Sequence, residues 1–294
     1  MSFFSNRSVQ VAPYLFLAPF ASVFLVFMVY PLFQSVILAM EQTFGPEHTQ
    51  FVGFANLRYV FGDPFFYTAL RNTFIFAAAS VLLQMPLSLA LAMLLNQPWL
   101  KGRWLLRLIF FSPALVGAVF VGVMFSIIFE RRTGLLNVVL HRLFGFSLDF
   151  PWLQEYAMPA MIIASLWMWT GFNMLYFLAA LQNVDKELME AAHMDGAGPW
   201  DRFLNVTLPA IRPIGGFVVL LSLIGAFQVF ELPFLLFDGP GVDNRGLTIV
   251  MYLYQSGFQL GDLGYASTIG WILAIILIAL SWLQRRLSRN ESYS

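Results

Sequence analysis

The chain is predicted to fold as an all-α integral membrane protein with six transmembrane helices. Its composition is 59% hydrophobic and 11% charged, with a mean hydropathy of +0.74, whereas soluble domains have about 45–50% apolar and about 25% charged residues. Apolar runs of about 20 residues recur, the length that an α-helix needs to cross a hydrocarbon core of about 30 Å. The strands of a membrane β-barrel would be shorter and would alternate polar with apolar residues.

Six apolar runs define the predicted membrane spans. Their approximate bounds are residues 14–40, 70–95, 105–129, 157–181, 214–237 and 265–283. The first run exceeds the roughly 7–15 apolar residues of a signal peptide, and no small-residue cleavage site follows it, so we expect it to stay in the membrane. We expect residues 1–294 to form a single transmembrane domain.

Basic residues predict the orientation of these helices. With the amino terminus inside, ten of the 16 Lys and Arg residues fall on the inner side. The short second loop carries Lys101, Arg103 and Arg107 and no acidic residue. Because inner loops are enriched in Lys and Arg, we expect both termini and the loop 183–213 to be cytoplasmic.

The inner loop 183–213 interrupts the apolar pattern with Gly, Pro and charged residues. Asp185 can cap a helix of about ten residues, and Gly196 can end that helix in a left-handed conformation. Pro199 suits the first position of a second short helix, which is expected to reach about Val206 before Pro209 and Pro213 lead into the fifth membrane helix. The sequence therefore predicts two short helices beneath the membrane.

The first of these short helices carries candidate docking residues. Ala191 and Ala192 leave a low surface, and Leu188, Met189 and Met194 supply apolar side chains that the groove of a partner protein could accept. The alternative is an amphipathic segment that rests on lipid. Its scarcity of basic residues argues against that alternative, because interfacial helices are usually rich in Lys and Arg.

Three motifs resemble one family of membrane proteins, the permease subunits of ATP-binding-cassette importers of the maltose and glycerol-phosphate type. The first is Glu190-Ala191-Ala192 with Asp195-Gly196-Ala197, Phe203, Thr207-Leu208-Pro209 and Pro213. The second combines Gly53–Asn56, Asp63–Phe66 and Ala69–Thr73, and the third is Asp238–Gly241. Together they cover most of the chain from about residue 50.

The resemblance implies a fold, partners and site residues. The implied fold has six helices with a coupling helix between the fourth and fifth, which agrees with the spans drawn above. The implied partners are a second homologous permease, two copies of a cytoplasmic ATPase subunit, and an extracytoplasmic solute-binding protein. The implied ATPase-coupling residues are Leu188, Glu190, Ala191, Ala192, Met194, Asp195, Gly196 and Ala197. The chain lacks the large outer domain of the maltose-specific subunit, which makes maltose a less secure substrate.

The sequence indicates that the chain is not itself an enzyme. A phosphate-binding Walker loop needs Gly-x-x-x-x-Gly-Lys-Ser/Thr, and neither Lys101 nor Lys186 lies in that pattern. We find no nucleophile–base arrangement and no histidine cluster with metal-ligand spacing. No cofactor, metal or nucleic acid is expected for this chain, and ATP and Mg²⁺ are expected on the partner ATPase subunits.

Polar side chains inside the spans are candidates for the substrate path, because such residues are costly in a membrane. Counted along one helix from Pro213, Gln228 and Glu231 lie about 22 and about 27 Å from its inner end, and on one face. Trp167 is predicted at the same depth on the fourth helix, where its ring could stack on a sugar. Asn173 is expected nearer the inner side, along an exit path or in a hydrogen bond between helices.

Each of these residues has a structural alternative. Trp167 and Trp169 could pack in the bundle or anchor it at the interface, and Glu231 could reach headgroup water or pair with an Arg. Gln84 and Asn72 are expected to hold helices together through hydrogen bonds.

Other functions and substrates are left open. The main alternative function is an ATP-independent secondary transporter or channel, for which Glu231 would be the one acidic residue in the six spans. The resemblance favours a di- or oligosaccharide substrate, with a sugar phosphate or polyol as the alternative. The partner permease could also make every substrate contact.

Overall fold

The computed structural model describes residues 5–43 and 49–290. The chain divides into two compact units, one formed by residues 1–63 with 253–272 and the other by residues 64–252 with 273–294. The expectation of one domain over the whole chain stays a prediction.

The first unit contains the amino-terminal membrane helix. Helix α1, Ser5–Phe24, continues through a π-helical turn, Leu25–Val29, into helix α2, Tyr30–Ala39. The stretch Pro13–Ala39 is long and apolar enough to span a membrane, and none of its most apolar window is buried within the protein. Its apolar surface is therefore suited to contact with lipid.

Short polar elements follow this helix in the same unit. Strands β1, Glu41–Thr43, and β2, Thr49–Phe51, pair antiparallel and precede helix α3, Ala55–Val60. The amide of Asn56 donates to the backbone carbonyls of Ala39 at 3.1 Å and Glu41 at 2.8 Å. The first bond satisfies a carbonyl that the end of α2 leaves without a helical partner, and the second joins α3 to β1.

The second unit holds most of the remaining helices, and α13 and α14 have residues in both units. The helices after α3 are α4, Pro64–Leu95; α5, Arg103–Leu115; α6, Ala118–Ile128; α7, Leu135–Phe144; α8, Ala157–Gln182; α9, Lys186–Met194; α10, Pro199–Arg202; α11, Leu208–Phe227; α12, Glu231–Leu236; α13, Ile249–Tyr254; and α14, Leu263–Asn290.

The all-α membrane class is confirmed. Within the described residues, five helices are long and apolar enough to cross a membrane, and α5 with α6 forms a sixth span if that bent pair is counted as one. The prediction of a continuous helix over 105–129 was wrong, because α5 and α6 meet at a bend of 97°. Val116 and Gly117 have extended backbones there, and a glycine loses more entropy in a helix than any other non-proline residue.

Helix α8 packs against α4, α5 and α11. Close packing with α5 depends on Gly171, since a Cβ at this position would overlap the carbonyl group of Phe110. Ser88 of α4 donates to the carbonyl of Thr170 at 2.9 Å. Small residues and such hydrogen bonds hold membrane helices together.

The fifth span begins earlier than the sequence predicts. Helix α10 continues through a π-helical turn, Phe203–Thr207, into α11 at Leu208, six residues before the predicted start at Ile214. Pro209 has no N–H to donate to the preceding turn, and the π-helical turn directly before it is a local adjustment that accommodates such a proline. The two prolines therefore do not separate the inner loop from the membrane helix.

Candidate functional site

A cavity of about 390 Å³ lies in the second unit among α4, α8, α11 and the start of α12. We call it the polar cavity. Its polar lining residues are Ser80, Gln84, Ser165, Asn173, Ser222, Gln228 and Glu231. Its aromatic lining residues are Phe76, Trp169, Phe172 and Phe230. None of the described residues that line it is basic.

Helix α4 contributes one stripe of this lining. Phe76, Ser80 and Gln84 are spaced four residues apart and therefore share a face of the helix. The side chains of Ser80 and Gln84 are both 3% exposed, and Ser80 Oγ and Gln84 Nε2 form no hydrogen bond with any described residue. A buried polar atom without a partner costs about 1–3 kcal/mol, so these atoms are suited to bind a polar ligand.

The structure differs from the expectation that Gln84 holds helices together, because its Nε2 donates to no neighbouring helix.

Asn72 does have the structural role that the sequence predicts. Its amide donates to the backbone carbonyls of Asn244 at 3.0 Å and Leu247 at 3.1 Å. Asn72 therefore joins α4 to the loop before α13.

Helix α8 contributes the facing stripe. Ser165, Trp169 and Asn173, again four residues apart, line the polar cavity. Trp167 is not among its lining residues and instead packs edge-on against Phe125, with ring centroids 5.6 Å apart. Two residues along an α-helix correspond to a rotation of about 200°. Of these two tryptophans, Trp169 therefore contributes to the aromatic lining of the cavity, and Trp167 does not share this layer as the sequence predicted.

Asn173 makes the hydrogen bond between helices that the sequence left open, and the exit path stays a prediction. It lines the polar cavity, and its Nδ2 donates to Ser222 Oγ of α11 at 3.2 Å. The hydrogen bond orients two polar side chains beside the space that a ligand would occupy.

Gln228 and Glu231 both line the polar cavity, but they do not lie on one continuous helix. Helix α11 ends at Phe227, and α12 begins at Glu231. Pro233 explains the break, because it has no N–H to donate to the carbonyl of Val229 and its ring would clash with that group. The hydroxyl of Thr248 donates to the Val229 carbonyl at 2.9 Å instead. The expected shared helix face was therefore wrong, and a depth counted along one helix holds as far as Gln228 but not to Glu231.

Residues 183–213, which we call the coupling segment after the role that the resemblance implies, begin with helix α9. Asp185 caps this helix, and its side chain accepts a hydrogen bond from the backbone N–H of Glu187 at 2.8 Å. Gly196 follows the helix with a φ of +81°, and its N–H donates to the carbonyl of His193. The predicted cap and the predicted left-handed glycine are both present.

Helix α9 leaves most of its motif residues exposed. Leu188 is 58% exposed and Met194 is 85% exposed; Glu190, Ala191, Asp195 and Gly196 are also exposed, and Ala192 and Ala197 are half-buried. Met189 points inward, where the hydroxyl of Thr207 lies 3.7 Å from its sulfur. Leu188 and Met194, but not Met189, are therefore the apolar side chains available to a partner.

Comparisons with known proteins add evidence that is independent of this geometry. The family model described as "Binding-protein-dependent transport system inner membrane component" matches residues 84–292. The chain is 39% identical over 284 residues to the arabinooligosaccharides transport system permease protein AraP of Bacillus subtilis (strain 168), covering 96% of this chain and 90% of the relative. It is 34% identical over 290 residues to the lactose transport system permease protein LacF of Rhizobium radiobacter, covering 97% of each chain.

A solved structure also has this fold. A chain of a bacterial alginate ABC transporter, in complex with an alginate pentasaccharide-bound periplasmic protein, superimposes with a TM-score of 0.86. The superposition covers 99% of this chain and 98% of the other, at 24% sequence identity.

Proposed function

Because this chain belongs to the family of binding-protein-dependent transport inner membrane components, and is a permease subunit of a carbohydrate-uptake ABC importer, we propose that its cargo is a neutral di- or oligosaccharide. It is a transport component of the bacterial inner membrane and is not itself an enzyme. Membership of this family removes the alternative of an ATP-independent transporter or channel.

The polar cavity is the observation that supports this cargo. Sugars combine hydroxyl groups with flat C–H faces, which hydrogen-bonding side chains and an aromatic ring can bind together. Ser80 and Gln84 supply buried polar atoms without partners, and Trp169 supplies the ring. The volume of about 390 Å³ falls within the range of about 300–1,000 Å³ that is usual for small-molecule sites.

The charge of the cavity favours a neutral sugar over glycerol phosphate. A phosphate group in a low-dielectric site needs cationic partners, and no Lys, Arg or His is among the described residues lining this cavity. The one ionisable side chain there is Glu231, whose carboxylate would repel a phosphate. The glycerol-phosphate alternative would need its cationic groups from another subunit.

The proposed mechanism is alternating access driven by partner subunits. Two copies of an ATPase subunit, which bind ATP and Mg²⁺, would each contact the coupling segment of one permease, and this chain would pair with a second homologous permease. A solute-binding protein would deliver the sugar from outside. ATP can shift the conformational equilibrium only as far as it stabilises one state over the other, so the exposed surface around Glu190 and Met194 must bind its partner firmly.

The test is an uptake panel with the complete importer in proteoliposomes. Radiolabelled neutral disaccharides, longer oligosaccharides, a polyol and glycerol 3-phosphate are compared with and without ATP. We expect saturable, ATP-dependent uptake of a neutral di- or oligosaccharide. Preferred uptake of glycerol 3-phosphate would contradict the proposed cargo.

A further inference from the structure

A second cavity, of about 610 Å³, lies in the loop between α4 and α5 and is lined by basic residues that have no part in the mechanism proposed above. Lys101, Arg103 and Arg107 line it together with Trp104. The sequence from residue 64 to residue 129 contains no Asp or Glu, and none of these three basic side chains has an ion pair with a described residue. We call this cavity the basic cavity.

Arg107 is held in place with part of its hydrogen-bonding capacity unused. Its Nη2 donates to the carbonyl of Leu95 at 3.3 Å, whereas its buried Nε has no hydrogen-bond partner among the described residues. The planar fork of a guanidinium matches the geometry of a phosphate group. The cavity also contains the amino-terminal end of α5, where helix geometry favours a negative charge.

The basic cavity lies at the same end of the second unit as the coupling segment. Leu100 and Leu106 pack against a buried cluster that includes Leu95, Leu181 and Ile211. These three residues belong to the end of α4, the end of α8 and the start of α11. The basic residues are therefore placed at the ends of helices that are long and apolar enough to span a membrane.

Apolar surface continues outward from the basic cavity. Trp99 is 67% exposed and Trp104 is 72% exposed, and exposed tryptophans are typical of the level of lipid headgroups. Leu105, Leu108 and Ile109 of α5 are exposed as well. A ligand with an anionic head and an apolar tail would match both parts of this surface.

We propose that the basic cavity binds the phosphate of an anionic glycerophospholipid, whose acyl chains lie along the exposed apolar side of α5. Basic pockets between membrane helices are known sites for anionic headgroups. A free phosphate would leave the tryptophans and the apolar side of α5 unmatched, and an acidic protein surface would leave the apolar side of α5 unmatched.

The test measures lipid binding to the delipidated complete importer by native mass spectrometry. Phosphatidylglycerol and phosphatidylcholine with identical acyl chains are titrated onto the wild type and onto a Lys101→Gln/Arg103→Gln/Arg107→Gln variant. We expect the wild type to prefer phosphatidylglycerol and the variant to lose one such site per copy of this chain. Affinity should fall about fivefold for each basic side chain removed.

Three controls make the result specific. The Arg58→Gln/Arg71→Gln/Arg142→Gln variant removes the same charge elsewhere and should keep the site. The Lys101→Gln/Arg103→Gln variant leaves the Arg107 hydrogen bond intact and should still weaken binding about 25-fold. Arg107→Lys keeps the charge but not the planar guanidinium, so it should still prefer phosphatidylglycerol but bind it more weakly than the wild type does.

Several outcomes would overturn the proposal. These are equal binding of the two lipids, unchanged binding by the triple variant, and displacement of phosphatidylglycerol by inorganic phosphate at comparable concentration. Loss of the ATPase subunit from the triple variant with lipid binding unchanged would assign the basic cavity to a protein partner instead.

Discussion

At the scale of single residues, the proposed sugar site depends on two buried atoms, Ser80 Oγ and Gln84 Nε2. In a membrane protein, a polar side chain that faces neither a partner group nor water is costly. Both atoms line the polar cavity and lack hydrogen-bond partners among the described residues. Their cost is offset if a sugar hydroxyl bonds to them during transport.

Replacing Gln84 with Met should lower transport without lowering stability. Met has nearly the same volume but cannot form the hydrogen bond, which contributes about 0.5–1.5 kcal/mol. We expect the KM for uptake to rise about two- to tenfold and the melting temperature to stay the same or rise. Gln97→Met, at an exposed position, is the matched control. Unchanged uptake would remove Gln84 from the site.

The two tryptophans of α8 should differ in their effect on transport. Trp169→Ala removes the indole ring from the lining of the polar cavity, whereas Trp167→Ala removes a contact with Phe125. We expect Trp169→Ala to reduce uptake at least tenfold, with partial recovery in Trp169→Phe because an aromatic face is kept. Gln228→Ala should also reduce uptake. Equal loss of uptake with Trp167→Ala would contradict this assignment.

At the scale of elements, the points where helices end determine the geometry of the polar cavity and of the surface proposed for docking. Pro233 separates α12 from α11 and leaves Gln228 and Glu231 at the polar cavity. Gly196, at a φ of +81°, turns the chain after α9. In both places a residue with unusual backbone properties determines where neighbouring side chains lie.

Substitutions at Gly196 should rank by their ability to adopt a positive φ. No atom lies within 4 Å of a Cβ at this position, so the effect of each substitution depends on the backbone conformation that the new residue can adopt. Gly196→Asn should keep coupled transport, and Gly196→Ala should weaken it, since the left-handed conformation costs about 1–2 kcal/mol. Gly196→Pro should abolish it. The measurement is sugar-stimulated ATP hydrolysis by the assembled importer. The amount of each variant in the membrane is the control, because a lower amount would also lower hydrolysis.

Glu190→Lys tests the exposed surface of α9 by reversing the charge of one side chain. Glu190 is exposed on α9, so its reversal should leave the chain inserted but abolish ATP-driven uptake. Normal uptake by Glu190→Lys or by Gly196→Pro would contradict the coupling assignment.

The turn before α7 should loosen in acid. The Glu130 carboxylate accepts hydrogen bonds from the backbone N–H groups of Thr133 and Arg132 and from the Thr133 hydroxyl. These hydrogen bonds hold the pKa of Glu130 below its ordinary value of 4.5, and the bond from the backbone N–H of Thr133 has the largest effect. The stabilisation is therefore present above pH 4.5 and is lost as the pH falls through the lowered pKa.

Hydrogen exchange of the Arg132 and Thr133 amides measures this loss. After correction for the intrinsic pH dependence of exchange, protection should fall in acid for the wild type. It should stay low and independent of pH for Glu130→Gln. A flat wild-type profile would show that the carboxylate does not hold the turn.

At the scale of the whole molecule, orientation in the membrane follows from the distribution of basic residues and stays a prediction. The chain contains no cysteine, so single cysteines can report sidedness on an otherwise unlabelled chain. Gln97→Cys should react with a membrane-impermeant maleimide in inside-out vesicles alone. Leu260→Cys should react in right-side-out vesicles alone. The reverse pattern would overturn the proposed cytoplasmic location of both termini, which lie outside the described residues.

Composition and apolar run length alone determined the class of this protein, because a bilayer requires about 20 apolar residues per helix regardless of how helices pack. The caps at Asp185 and Gly196 were also predictable, since they depend on interactions within a few residues.

Tertiary structure alone decided which polar side chains meet. Trp167 and Trp169 are equivalent in sequence pattern, and packing against Phe125 on one side and the polar cavity on the other distinguishes them. The bend after α5 and the break before α12 were likewise not predicted, because the positions assigned from sequence assumed straight, continuous helices. A site built from several helices depends on contacts between residues far apart in the chain, and the spacing within each helix does not specify those contacts.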